Sequence, residues 1–306
     1  FSGTFSQPGK EPLKKTVVFP LVPEYVGYAD QGIEKDTFVG IPAKCVYYPD
    51  NTFKYFIDFD ALETYLEKHR EVGAMCVSRP TNPTGNVLTN DEIRHLSALA
   101  YKYNIPLFVD NAYGLPFPNI IFTEDAKPYW DSSVILSMSL SKIGLPSLRT
   151  GIVVAKPELI KALASVNSIV ALASGSLGQV ISQDLFATGK MKTLAESYVR
   201  PFYQQKSLFA QNCFKEFFAG TNYSVHKSEG AIFNWILMND LKIPTKELYV
   251  KLKDQGVITV PGEYFFFGTP EHEHYDKCLR INYSRPEDEV REGIRIIAET
   301  YKKFCK

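Results

Sequence analysis

Gly73-Ala74-Met75-Cys76-Val77-Ser78 runs directly into Arg79-Pro80-Thr81-Asn82-Pro83-Thr84-Gly85-Asn86. The first six residues are a short apolar run, which reads as a buried strand. The next eight are dense in turn formers and read as a loop. Thr89 follows, with Glu92 three residues on. That pair is a capping-box signature and opens a helix to about residue 103. Strand, loop and helix in that order form the repeating unit of a parallel sheet.

The same alternation recurs on both sides. Residues 15–20 read as a buried strand, 24–33 as a turn with a short helix, and 38–47 as extended. Residues 59–70 carry helical periodicity, with Ala61, Leu62, Tyr65 and Leu66 on one face. Residues 105–110, 134–139 and 151–155 are three further strands. From Pro157 to about Gly220 the pattern is helical. Residues 230–238, 257–260 and 277–283 then read as strands, and 246–255 and 286–304 as helices. The expectation is an α/β protein: a mainly parallel sheet flanked by helices over residues 1–200, and a smaller α+β lobe over 201–306.

Composition narrows the classes. The 306 residues suit one large domain with a smaller lobe. Apolar residues make up 45%, enough for a sizeable core, and 34 basic side chains balance 34 acidic ones. Nothing in that balance asks for nucleic acid or an anionic membrane as partner. The five cysteines are scattered and form no Cys-x-x-Cys pair, which fits reduced thiols in a cytoplasmic protein. No apolar run is long enough to span a bilayer. The chain begins Phe1-Ser2-Gly3-Thr4, with neither an initiator Met nor a signal peptide. The stretch to Pro12 reads as a loop, so upstream sequence is expected to be missing.

Four segments carry chemistry. They are Asn82-Pro83-Thr84-Gly85, Asp110-Asn111-Ala112-Tyr113, Ser139-Leu140-Ser141-Lys142 with Arg149 beyond it, and Arg280-Ile281-Asn282. The first three follow strands, where ligands sit in open α/β sheets. Each alone has an ordinary alternative. The first could be a plain turn, Asp110 a cap or a metal ligand, Lys142 a solvated lysine and Arg280 half of a surface ion pair. Together they match the needs of pyridoxal 5'-phosphate (PLP) chemistry. That chemistry needs a lysine for the cofactor aldehyde and a carboxylate for the pyridine nitrogen. An amide and a phenol can hold the ring hydroxyl. Hydroxyls and an arginine can hold the phosphate, and a second arginine the substrate carboxylate.

These stretches resemble the aspartate-aminotransferase superfamily of fold-type-I PLP enzymes, most strongly its branch acting on valine and pyruvate. Glu24-Tyr25-Val26-Gly27-Tyr28-Ala29-Asp30 and Glu229-Gly230-Ala231-Ile232-Phe233 support the resemblance, which runs from about Thr16 to about Tyr301. It implies that Lys142 forms the Schiff base with the cofactor and then moves the α-proton. Asp110 would pair with the pyridinium nitrogen, and Asn82 and Tyr113 would contact the ring hydroxyl. Ser139, Arg149 and Ser141 would hold the phosphate, Tyr25 would stack on the ring, Arg280 would bind the substrate carboxylate, and Asn82 would contact the substrate as well. The family further implies ping-pong transfer between an apolar amino acid (valine or alanine) and a 2-oxo acid (pyruvate or 2-oxoisovalerate), in a homodimer. Residues 173–176 would reach the partner's site, and 264–267 would pack at the mouth of the site or in the core. A Gly/Ser/Thr-rich phosphate turn, which relatives carry upstream, has no equivalent before Thr16.

Three competing readings stand beside this one. A C–S lyase or a dicarboxylate aminotransferase would share the fold. An inert PLP-fold binding subunit would share the cofactor site. A nicotinamide enzyme would need a Gly-x-Gly-x-x-Gly motif, which is absent. The His272-x-His274 pair lies in a polar stretch without a third ligand nearby in sequence, so no metal is expected there. His69, His95 and His226 read as residues that cap or decorate helices and strands.

Overall fold

The computed structural model describes residues 14–32 and 36–305. The expected loop up to Pro12, and the end of the 24–33 segment, lie outside the described residues. In chain order the elements are β1 (Thr16–Val22), β2 (Phe38–Pro42), β3 (Lys44–Tyr47), β4 (Thr52–Phe56), α1 (Phe59–Lys68), β5 (Val72–Ser78), α2 (Asn90–Lys102), β6 (Leu107–Asp110), β7 (Val134–Ser139) and β8 (Gly151–Val154). They continue with α3 (Pro157–Val170), α4 (Leu177–Ala187), α5 (Lys190–Leu194), α6 (Arg200–Phe217), β9 (Tyr223–His226), β10 (Phe233–Met238), α7 (Thr245–Lys253), β11 (Val260–Pro261), β12 (Cys278–Asn282) and α8 (Glu287–Phe304).

Two six-stranded sheets organise the molecule. The first runs β2-β1-β5-β6-β7-β8, parallel except for β8, which pairs antiparallel with β7. Its central strands are the apolar runs expected of a sheet covered on both faces. The α/β expectation with a mainly parallel sheet holds. The capping box also forms: Thr89 Oγ1 accepts from Glu92 N at 3.1 Å, and Glu92 Oε2 accepts from Thr89 N at 2.9 Å.

The second sheet runs β11-β12-β10-β9-β4-β3. It corrects several expectations. The extended stretch 38–47 is two strands in different sheets, turned apart at Ala43. Strand β4 went unread because Lys54 breaks its apolar pattern, and β9 because Ser224 and His226 alternate with its apolar residues. The strand expected over 257–260 shrinks to Val260–Pro261. In this sheet β3 and β4, from the first third of the chain, join strands from its last third.

Period-two alternation fixes how this sheet packs. Trp235 and Leu237 of β10 face a core shared with β1, β5 and α2. Ile236 and Met238 face the layer formed by α6, α7 and α8. On α8, Val290, Ile294, Ile297 and Tyr301 make the buried stripe, while Glu287, Asp288 and Glu289 stand at the N-terminus and Lys302 and Lys303 at the C-terminus, as the helix dipole favours. Between α5 and α6 the backbone forms a π-helical turn, Ala195–Val199, just before Pro201, whose ring cannot donate to the helix ladder.

Candidate active site

The floor of the site is the carboxyl end of the first sheet. Ser78 ends β5, Asp110 ends β6, and the two are register partners. Asp110 Oδ1 accepts from Ala112 N at 3.0 Å, and its Oδ2 accepts from the Tyr28 hydroxyl at 2.6 Å. Both carboxylate oxygens are therefore oriented. Lys142 lies in a single 3-10 turn directly after β7, closed by Gly144 at φ 107. Ser139 Oγ accepts from Ser141 N at 3.1 Å and so braces the start of that turn.

The Lys142 amine lies 5.4 Å from the centre of the Tyr113 ring. Burial lowers its pKa, and the charges of Arg280 and Arg149 lower it further. The neutral amine is thereby easier to reach than in a free lysine. Arg149 sits in a left-handed conformation at φ 47, with an exposed side chain. Leu140 N donates to Thr150 O at 3.1 Å, which holds that loop beside the Lys142 turn.

Arg280 reaches the site from the second sheet. Its Nη1 donates to Asn82 Oδ1 at 2.8 Å. Its guanidinium centre lies 4.5 Å from the Phe233 ring and 5.4 Å from the Phe265 ring. Among the described residues these contacts are an amide and two aromatic faces, with no carboxylate. A half-buried guanidinium without an anion is a receptor for one.

The loop that carries Asn82 is held from three directions. It closes on itself through Gly85 N to Thr81 O at 2.8 Å and Thr81 N to Asn86 O at 2.8 Å. Gly85 is at φ 72, and a Cβ there would stand 2.7 Å from Gly230 O. Lys54 Nζ donates to Val87 O at 3.1 Å and to Glu229 Oε2 at 2.5 Å, while the same Glu229 oxygen accepts from Val87 N at 3.1 Å. Tyr113 is buried edge-on to Phe233 at 5.8 Å, and burial pushes its phenol up. Tyr25 is 37% exposed and folds over Gly27, where a Cβ would come within 2.5 Å of its ring.

The sequence-expected residues thus converge. Lys142 lies near Arg280 and Arg149, Tyr113 near Arg280, Asp110 and Tyr25, and Asn82 bonds Arg280 directly. Ser139 and Ser141 flank Lys142 in the chain. Of the 264–267 run, Phe265 and Phe266 are core residues and only Tyr264 is exposed. The histidines are absorbed by packing. His274 lies between the hydroxyls of Tyr47 and Tyr55 at 2.7 and 2.6 Å. His95 stacks on Phe59, His226 is buried against Tyr55, and His69 caps α1. Residues whose place in the site sequence reasoning missed are Glu24, Tyr28 and Phe233. For Tyr28 one signal existed: it stands three residues after Tyr25, within reach of the same turn.

A parallel sheet with lysine, aspartate and asparagine at its strand ends, faced by an unpaired arginine from a second sheet, is the arrangement of the fold-type-I PLP transaminases. The family "Aminotransferase class I and II" matches residues 35–297, and the chain belongs to it. The chain is 43% identical over 286 residues to valine–pyruvate aminotransferase of Escherichia coli, covering 93% of this chain and 67% of that protein. It is 30% identical to aromatic-amino-acid aminotransferase 1 of Thermococcus litoralis, covering 79% of this chain and 57% of that one. The crystal structure of valine–pyruvate aminotransferase from Salmonella typhimurium superposes with TM-score 0.88 at 43% identity, over 95% of this chain and 72% of that chain. The chain therefore spans between just over half and just over two thirds of these relatives.

Proposed function

We propose that this chain transfers an amino group between a small apolar amino acid, valine or alanine, and a 2-oxo acid, pyruvate or 2-oxoisovalerate, with PLP as cofactor. One observation carries the reading: the Lys142 amine lies 5.4 Å from the Tyr113 ring in the same site as Arg280, which among the described residues contacts an amide and two aromatic rings but no carboxylate. The donor set fits PLP. An oriented carboxylate (Asp110) suits the pyridinium nitrogen, and Asn82 and Tyr113 suit the ring hydroxyl. Ser139, Ser141 and Arg149 suit the phosphate, and Tyr25 the ring face. PLP, when bound, supplies the electron sink that makes the α-proton of an amino acid acidic.

The protein's part is positional and protolytic. Arg280 grips the substrate carboxylate with its fork, and its bond to Asn82 keeps the fork aimed. Lys142 Nζ takes the α-proton and later returns one, which needs the neutral amine that its surroundings make easier to reach. The apolar wall of Phe233 and Phe265 behind Arg280 offers no charge to an acidic side chain, which supports apolar substrates over dicarboxylates.

Among the described residues no helix is long and apolar enough to cross a membrane. The scattered thiols fit a cytoplasmic setting, and we read the active form as a homodimer. The exposed apolar side chains of α3, including Val166 and Ile169, support that reading. Residues 173–176 stand exposed between α3 and α4, free to reach a partner's site.

The test is an absorbance titration. Added PLP should give a yellow band that bleaches with L-valine and returns with pyruvate. Lys142→Ala should lose both the band and turnover. A band indifferent to every amino acid would replace the transaminase reading with that of a binding subunit.

A further inference from the structure

Glu24 is a carboxyl buried beside the active site, with no cation against it among the described residues. It is 1% exposed. Its Oε1 accepts from Tyr25 N at 2.9 Å and its Oε2 from Ser78 N at 3.0 Å. Its own N–H donates to Phe265 O at 3.1 Å. One residue thus joins three parts of the site: the end of β5, the turn that carries Tyr25 and Tyr28, and the aromatic wall behind Arg280. Burying a carboxyl without a cation is costly, and such exceptions collect where geometry is being fixed.

What the geometry fixes is the short 3-10 turn Val26–Tyr28, with Tyr25 as its N-cap. A one-turn element has little stability of its own. Tyr25 offers no side-chain cap to it. The carboxyl of Glu24 instead secures the N–H of Tyr25 and ties it to the strand end. From there the turn delivers the Tyr28 hydroxyl to Asp110 Oδ2. Without that donor, Asp110 keeps only the Ala112 N–H and is free to swing.

We propose that Glu24 is a positioning residue for Asp110: by pinning the start of the Tyr25–Tyr28 turn to the end of β5, it places the Tyr28 hydroxyl on the carboxylate that meets the cofactor. The inference rests on the PLP reading above. Glutamine cannot replace Glu24 at this spot. One of its two polar atoms would be an NH2 group facing a backbone N–H, so one of the two ties is lost.

The experiment measures PLP affinity by absorbance in wild type, Glu24→Gln, Tyr28→Phe and the double variant, together with the melting temperature of each protein before PLP is added. Each single variant should weaken PLP about tenfold, the loss of one hydrogen bond to a charged group. The double variant should be no weaker than the weaker single one, because both act through one contact. An unchanged PLP affinity in Glu24→Gln, with only a lower melting temperature, would reduce Glu24 to a structural residue. Losses that multiply in the double variant would equally overturn the proposal. If Glu24→Gln does not fold, Tyr28→Phe, which removes a single oxygen, decides: unchanged affinity there defeats it. Wild-type protein that takes up no PLP would defeat the function reading as well, which separates the two failures.

Discussion

Burial pushes the Glu24 carboxyl up to about 8, against the pull of the N–H groups of Tyr25 and Ser78. The folded value lies above the ordinary value of 4.5. The protonated form is therefore favoured in the folded state, and its contribution to stability is complete below about pH 4.5. That contribution is lost as pH rises toward 8 and then levels off. Asp110, Tyr28 and Cys76 face Glu24, and burial holds the last two neutral across this window. Urea unfolding at a series of pH values should show the stability difference between wild type and Glu24→Gln falling between pH 4.5 and 8; parallel curves would contradict it. At Arg280 the argument is geometric. Arg280→Lys keeps the charge but loses the fork and the bond to Asn82. KM for the amino acid should rise tenfold or more, by the loss of about 1.5–3 kcal/mol, with a smaller change in kcat; steady-state kinetics checks the split. The placement of Asp110 at the end of β6 and of Lys142 just after β7 was legible in the sequence, because apolar runs there give way to polar loops. Glu24 and Tyr28 were not. No local pattern announces that a hydroxyl will turn back onto a carboxylate 82 positions later.

Between residues and fold stands the clamp on the Asn82 loop. Lys54 and Glu229 grip both backbone polar groups of one residue, the C=O and the N–H of Val87. The pair is largely buried, with side-chain exposures of 7% and 16%. Removing one partner leaves a buried charge, so Lys54→Met or Glu229→Gln alone should cost about 3–5 kcal/mol. The double substitution should cost less than the sum, because no charge is stranded; denaturant unfolding of all four proteins gives the coupling. Substrate KM should rise in the single variants, since the loop aims Asn82 at Arg280. The same pair explains what was hard to read. Helix α2 announced itself by composition, through Thr89 and Glu92, because a capping box is local. Strand β4 did not, because Lys54 looks like a surface residue until its partner 175 positions away is known.

For the whole molecule, the homodimer reading predicts that Val166→Asp with Ile169→Asp, on a face of α3 where both are exposed, should convert dimer to monomer in sedimentation velocity while far-ultraviolet circular dichroism is unchanged. An unaltered sedimentation coefficient would move the interface elsewhere. Architecture at this scale was legible in its parallel half, where strands and helices alternate in sequence, and illegible where the chain doubles back. The β3–β4 hairpin is that place. Thr52 of β4 pairs with Val225 of β9, although the two are 173 positions apart in the chain. On a ribosome adding about 5–20 residues per second, that partner is made roughly 10–35 seconds after the hairpin. For that interval β4 has an open strand edge, which is the kind of surface that recruits other chains. A chaperone-poor host should therefore lose this protein to inclusion bodies during synthesis, whatever the stability of the finished fold.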